Sequence, residues 1–500
     1  MTTTSFSPRD GRVLGEVGDT SADQLASIVA AATTAAPAAA DVAPAVRRRW
    51  LDAIADAIDQ HAGELIKLAD SETALGVPRL TGEVNRVAEQ LRFYGRVAAD
   101  GAYLGVVVDD STPIAPRLVR INRPLGPVAV FGASNFPFAF GVVGNDTASA
   151  LAAGCPVVAK AHPAHVLTSV RLAEIATAAL TAAGAPAGLF DLVSGLQVGV
   201  DLVRTPEIKA VGFTGSQGGG LALWKIANER EIVIPVYAEM GTVNPVVVTP
   251  AGAADLAEIA KGFVGSFTLG SGQFCSKPGL LFAPKGSDAG RVVADVLTDV
   301  SPTPYMLTSA IAANVTVGVN NLVEAGASVV TRLAGPGTGW SAESAVLTAP
   351  ISALVPGSKL LEEVFGPVAV VVEYSDAQEL HEALGVLQGS LAGSVFGGGD
   401  NDPDLAATVS ALAGQVGRVT VGDWPTGVAW SWAQQHGGPW PSTSNPATTS
   451  VGAAALDRFV RPIAYQSVPD GALPAGTREA VDPANPWHIP RRINGKLELA

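Results

Sequence analysis

Apolar residues in the first hundred positions recur at helical spacing. Leu51, Ile54, Ile58, Leu65 and Leu68 mark one stripe, and Val84, Val87, Ala88, Leu91 and Tyr94 mark another. Ser21 with Gln24, ahead of "LASIVAAATTAA", has the form of a capping box, so a helix is expected to start there. From about residue 103 the pattern shortens. "YLGVVVDD" and "LVRINRPLG" are β-branched runs expected to pair antiparallel.

Alternation then sets in. "GPVAVFG" reads as a buried strand, "DTASALAAG" as a helix ended by Gly154, "CPVVAK" as a strand and "HVLTSVRLAEIATAALTAAG" as a helix. "LFDLVSG" and "KAVGFTGS" read as two more strands. Short apolar runs separated by helices predict parallel βαβ units with helices on both faces of the sheet. The pattern recurs through "NPVVVTP", "GLLFAP" and "FGPVAVVVEY", which predicts a second α/β domain. The final segment, with "VPDGALPAG" and "PANPWHIPRR", is rich in proline and is expected to run along a surface or a neighbouring subunit.

Five hundred residues exceed what one core usually supports, and 48% hydrophobic with 16% charged residues describes a compact multidomain protein. A net charge of −14 argues against nucleic acid or an anionic membrane as partner. Two cysteines give no disulfide framework and suit a reducing compartment. "MTTTSFSPRD" lacks a basic start followed by an apolar run, and "GPVAVFGASNFPFAFGVVG" is short and interrupted for a membrane span. A cytoplasmic protein with no membrane partner is expected.

Four polar residues fall at the carboxyl ends of predicted strands: Asn135 after "VAVFGA", Lys160 in "VVAK", Ser216 in "FTGSQGGG" and Glu239 after "IVIPVYA". In an open α/β sheet this is the edge where ligands bind. "FTGSQGGG" follows a strand and opens a helix, so its backbone N–H groups can face a phosphate, although it is not a G-x-G-x-x-G motif. Cys275 lies in "TLGSGQFCSKPG", among glycines and hydroxyl residues rather than aliphatics, whereas Cys155 in "AAGCPVV" reads as core. The six histidines show no grouping with cysteine or carboxylate, so no metal site is expected.

Over nearly its whole length the chain resembles the NAD(P)-dependent aldehyde dehydrogenases. "GASNFPFAF", "CPVVAKAHPAHVLTS", "VGFTGSQGGG", "EMGTVNP", "GQFCSKPG" and "EEVFGPV" occur in family order, and Cys275 follows Glu239 by 36 positions. "ETALGVPRLTGEVNRVAEQLRFYG", "GQFCSKPGLLF" and "HGGPWPSTS" resemble the branch containing 2,5-dioxopentanoate (α-ketoglutaric semialdehyde) dehydrogenases and NADP-linked fatty aldehyde dehydrogenases. "EMGTVNP" and "HGGPW" depart from the commoner family forms, in a manner that suits this branch.

The resemblance implies a fold with a Rossmann-like cofactor domain (1–103 and 125–240) and an α/β catalytic domain (241–465). A small β oligomerisation element (104–124 and 466–500) would make a homodimer or homotetramer. It implies Cys275 as nucleophile, a thiol the site should activate, and Glu239 as general base for thioester hydrolysis. The Asn135 amide and the Cys275 backbone N–H would be oxyanion donors. Lys160 would hold the adenosine ribose and Ser216, with Gly215 and Gly220, the pyrophosphate; Glu363 would bond the nicotinamide ribose beside Phe365.

NAD-preferring members commonly carry a carboxylate three positions after the ribose lysine. Pro163 stands there, so NADP is expected to be accepted and favoured, with NAD usable; no supporting arginine is evident near Val198. For the substrate, Arg86 and Arg92 on the 80–98 helix would pair with a distal carboxylate, while Trp424, Trp430, Trp432 and Trp440 would equally favour an apolar aldehyde. The branch tips the choice to 2,5-dioxopentanoate, with a medium- or long-chain fatty aldehyde as the alternative. A CoA-acylating enzyme is disfavoured by Glu239, and a silent cofactor-binding protein by the joint presence of Asn135, Glu239 and Cys275.

Overall fold

The computed structural model describes residues 1–499, and three sheets organise it. The first is a five-stranded parallel sheet in the order Phe190–Val193, Val157–Lys160, Val128–Phe131, Ala210–Gly215, Val236–Met240. Its central strands are buried on both faces, which explains their continuous apolar runs. The helices Asn145–Ala153 and Val166–Ala182 follow two of these strands, and Gly154 caps the first in the left-handed region, as its position predicts.

The second sheet has seven strands in the order Ser328–Leu333, Ser344–Pro350, Val368–Tyr374, Leu280–Pro284, Pro245–Val248, Gly393–Phe396, Val419–Val421. All neighbours are parallel except the antiparallel pair at the Ser328–Leu333 edge. The third is a small sheet in which Leu118–Pro124 pairs antiparallel with Val106–Asp109 and with Val460–Gln466; Arg491–Ile493 and Lys496–Glu498 complete it. The proline-rich end of the chain therefore returns to the strands near residue 106.

The capping box forms at Ser21 and Gln24, opening the Ala22–Asp41 helix. Ahead of it lies a hairpin of Thr2–Phe6 with Val13–Gly18 that the helical reading of the first hundred residues does not include. Its strands are short and only partly buried, so they carry little apolar alternation to read.

One buried carboxylate ties these N-terminal elements to the first sheet. Glu72, fully buried, accepts from Leu167 N at 3.0 Å, Thr168 N at 2.7 Å, Thr168 Oγ1 at 2.6 Å and Ser5 Oγ at 2.5 Å. It thereby satisfies the free N–H groups at the start of the Val166–Ala182 helix, where negative charge is favoured. Glu72→Ala should lower stability by about 3 kcal/mol, because buried donors to a charged acceptor are orphaned, and Glu72→Gln by less. Denaturant unfolding of the two variants checks this; equal stability of wild type and Glu72→Ala would contradict it.

Candidate active site

Asn135, Lys160, Ser216 and Glu239 all lie at or just beyond the carboxyl ends of strands of the first parallel sheet. Cys275 comes from the other side, on the irregular segment between the Leu256–Thr268 helix and the Leu280–Pro284 strand of the second sheet. The Asn135 amide Nδ2 donates to Gln273 O at 2.7 Å, so the two elements meet two residues before the thiol. One amide N–H is used in that bond, and Nδ2 carries a second.

The glycines around Cys275 are a packing requirement. Gly272 has φ +71°, and a Cβ there would lie 2.2 Å from the Gly366 carbonyl carbon; one at Gly270 would lie 2.2 Å from Arg79 Nη1. The loop is pinned from behind by Asn244, whose Nδ2 donates to Cys275 O at 2.8 Å and Lys277 O at 3.1 Å. Asn244 sits in "EMGTVNP", and nothing in the local sequence marks it as the anchor of a loop 31 residues away.

Glu239 is 3% exposed. Residues 442–444 lie along the Val236–Met240 edge strand, with Met240 N donating to Ser442 O at 2.9 Å and Ala238 N to Ser444 Oγ at 2.8 Å. This brings His436 and Ser450 to the carboxylate. His436 Nε2 lies 2.9 Å from Glu239 Oε1 and 3.7 Å from Cys275 Sγ, and the Ser450 hydroxyl donates to Glu239 Oε2. The donor atoms of Glu239, Cys275 and His436 all fall within 4.8 Å of one another. The sequence reading finds no histidine grouped with cysteine or carboxylate; the fold makes such a group, because it brings together residues about 200 positions apart.

Burial pushes the Glu239 carboxyl up, but His436, Ser450 and Arg458 outweigh it and hold it below the ordinary value. The thiol behaves otherwise. Burial pushes Cys275 well above the usual thiol range, and the charges of Glu239 and Glu363 push it the same way. These surroundings favour the neutral thiol, so the activation the site is expected to supply has to come from a neighbouring base. The thiol proton needs an adjacent acceptor, which the Glu239 carboxylate is placed to be, with His436 Nε2 donating to that carboxylate.

Around the cofactor candidates the features fit a dinucleotide. Ser216 caps the Gln217–Asn228 helix, its hydroxyl accepting from Gly219 N at 3.2 Å. A Cβ on Gly220 would lie 2.7 Å from Met240 Sδ and one on Gly215 2.7 Å from Phe213 Cζ, so the turn approaches the sheet closely. At Gly218 nothing lies within 4 Å, which leaves the helix N-terminus open to a phosphate. Burial pushes Lys160 down to about 8 against the opposing charge of Asp19. Glu363, beside half-buried Phe365, has a buried Oε1 without a partner and packs on Gly241; burial raises its carboxyl against Lys277.

The substrate candidates divide. Arg92 is taken up at the surface by Asp56 at 2.7 Å, Asp59 at 2.6 Å and Glu89 at 3.0 Å, so its expected part in carboxylate binding is corrected. Arg86 and Arg79 instead face an aromatic group of Phe136, Phe140, Phe274 and Trp430. The other tryptophans lie apart from it. Trp424 packs on Phe396 and Phe263, Trp432 on Phe93, and Trp440 on Trp224.

The raised thiol has a measurable consequence. Iodoacetamide should alkylate Cys275 slowly at pH 8, with a rate that climbs as pH rises beyond the ordinary thiol range. Glu239→Gln removes a negative charge that opposes the thiolate, so alkylation at the same pH should accelerate. Cys155, fully buried and pushed up to about 11 by burial, should stay unmodified in the native protein. No acceleration in Glu239→Gln would show that the carboxylate does not act on the thiol.

The profile of the aldehyde dehydrogenase family matches residues 1–461. Alpha-ketoglutaric semialdehyde dehydrogenase 2 of Azospirillum brasilense is 44% identical over 466 residues, covering 91% of this chain and 88% of that protein. Alpha-ketoglutaric semialdehyde dehydrogenase of Acinetobacter baylyi is 38% identical over 461 residues, covering 90% and 87%. A point mutant of betaine aldehyde dehydrogenase from Staphylococcus aureus, solved with NAD+, superposes with a TM-score of 0.80 at 21% identity over 94% of this chain and 95% of that one. No helix among the described residues is long and apolar enough to cross a membrane. With a family match over residues 1–461 and relatives 44% and 38% identical over most of the chain, the chain belongs to the aldehyde dehydrogenase family, whose members use NAD(P).

Proposed function

We propose that the protein oxidises 2,5-dioxopentanoate to 2-oxoglutarate, consuming water and NAD(P)+ and releasing NAD(P)H and two protons. The observation that carries the chemistry is the meeting of Cys275, Glu239 and the Asn135 amide at one sheet edge. Cys275 attacks the aldehyde carbon after its proton passes to the Glu239 carboxylate. The oxyanion of the thiohemiacetal is met by the second Asn135 N–H and the Cys275 backbone N–H. A dinucleotide held at this edge would supply the hydride acceptor that leaves Cys275 as a thioester, and Glu239 is placed to deprotonate the water that cleaves it. His436 bridges the base and the nucleophile and orients both.

The likeness to two alpha-ketoglutaric semialdehyde dehydrogenases supports this substrate over a fatty aldehyde. Lys160, Gly215, Ser216, Gly220, Glu363 and Phe365 would hold the dinucleotide, which supplies the hydride acceptor. Pro163 in place of a carboxylate leaves room for a 2′-phosphate, and an anion there would restore the full charge of desolvated Lys160. NADP is therefore the favoured form, with NAD usable. We assign 1–103 and 125–240 to the cofactor domain, 241–465 to the catalytic domain, and 104–124 with 466–500 to an element joining a cytoplasmic homodimer or homotetramer. A monomeric mass by sedimentation would exclude that assembly.

Formation of reduced cofactor tests the proposal directly. Wild type should favour 2,5-dioxopentanoate over a medium-chain alkanal, and Cys275→Ala should abolish turnover. Glu239→Gln should give a burst of reduced cofactor followed by a slow steady state, since deacylation is slowed more than acylation. Wild-type activity in Cys275→Ala would overturn the mechanism. A kcat/KM about tenfold higher with NAD, ~1.4 kcal/mol, would overturn the cofactor preference.

A further inference from the structure

The Val77–Asp100 helix carries Arg79, Glu83 and Arg86 on one face, since steps of four and three residues return to the same side. That face looks onto the rings beside the thiol. Arg79 lies over Phe136 at 4.9 Å and Phe274 at 4.7 Å, and Arg86 over Phe140 at 5.4 Å and Trp430 at 5.1 Å. Phe136 and Phe274 are the chain neighbours of Asn135 and Cys275.

These charges do not balance. Glu83 commits Oε1 to the Phe138 and Ala139 N–H groups, at 2.8 and 3.1 Å. Arg79 gives Nη2 to the Asn135 carbonyl at 2.5 Å. Arg79 Nη1 and Glu83 Oε2 are each buried without a partner, but of the three side chains only Arg86 makes no hydrogen bond or ion pair at all among the described residues, its Nε and Nη2 both buried without a partner. Those two N–H groups share one edge of the guanidinium, the edge that receives a carboxylate through two parallel hydrogen bonds. Hydration would satisfy them on a surface; here they are buried.

We propose that Arg86 is the specificity-determining residue that binds the distal carboxylate of the aldehyde substrate, with Arg79 fixing the Asn135 loop and adding its charge. The assignment rests on the reading of the site as an oxo-acid semialdehyde dehydrogenase. A bound carboxylate brings the group to two charges of each sign, whereas a neutral alkanal leaves the Arg86 edge unpaired, so the site discriminates against the uncharged aldehyde. Trp430 belongs to the irregular stretch between the Val419–Val421 strand and the turn at Ala453–Phe459 and is half-buried, so it is the ring that shifts to admit the carboxylate.

The test compares wild type, Arg86→Met and Arg86→Lys with 2,5-dioxopentanoate and with pentanal, and uses glutarate as an inhibitor of pentanal oxidation. In Arg86→Met the ratio of kcat/KM for the two substrates should fall about 30-fold, mainly through KM for the oxo acid. Glutarate inhibition should be lost in Arg86→Met and partly recovered in Arg86→Lys. An unchanged ratio, or glutarate inhibition that survives in Arg86→Met, would overturn the proposal. A wild-type preference for pentanal would overturn the semialdehyde reading, while loss of glutarate inhibition in Arg86→Met would still uphold the carboxylate receptor.

Discussion

A carboxylate buried beside a thiol is the constraint that orders this site. Removing Glu239 from water costs several kcal/mol unless hydrogen bonds and opposite charge replace the solvent. The replacement comes from His436 and Ser450, and behind them from a buried network. Arg458, 2% exposed, pairs with Asp146 at 2.8 Å, and Asn145 donates to Ser450 O while accepting from Tyr94 Oη at 2.8 Å. These bonds hold the carboxylate in one place, and its charge with burial favours the neutral form of the thiol next to it.

Holding that thiol requires a loop with no freedom of its own. Asn244 grips the carbonyls of residues 275 and 277, Gln273 anchors to Leu307 N and Tyr305 O, and Gly272 presses on Gly366. The same contact couples the thiol loop to "EEVFGPV", the segment that carries Glu363. Nucleophile and cofactor candidate are thus set by one backbone junction, where a single Cβ would force them apart.

Much of this was legible beforehand. The parallel strands, the Gly154 cap and the alignment of Asn135, Lys160, Ser216 and Glu239 at strand ends follow from period and from where strands stop. Arg92 shows the limit of such reading. It shares a helix with Arg86, and no spacing rule distinguishes a residue six positions along the same helix; its three acidic partners come partly from another helix, Pro44–Gln60. The cluster of tryptophans fails for a related reason, since four rings close in sequence leave an irregular segment in different directions.

By itself the sequence determined the elements, the sheet edge that bears the chemistry and the identity of the nucleophile candidate, because these depend on local periodicity and on motifs of fixed short spacing. Only the tertiary structure decided that His436 stands between Glu239 and Cys275, that burial and two carboxylates push the thiol up, and that Arg86 is buried with neither a hydrogen bond nor an ion pair. Those outcomes depend on desolvation and on charges that meet across distant segments. Both are properties of the packed interior, and no single stretch of chain carries them.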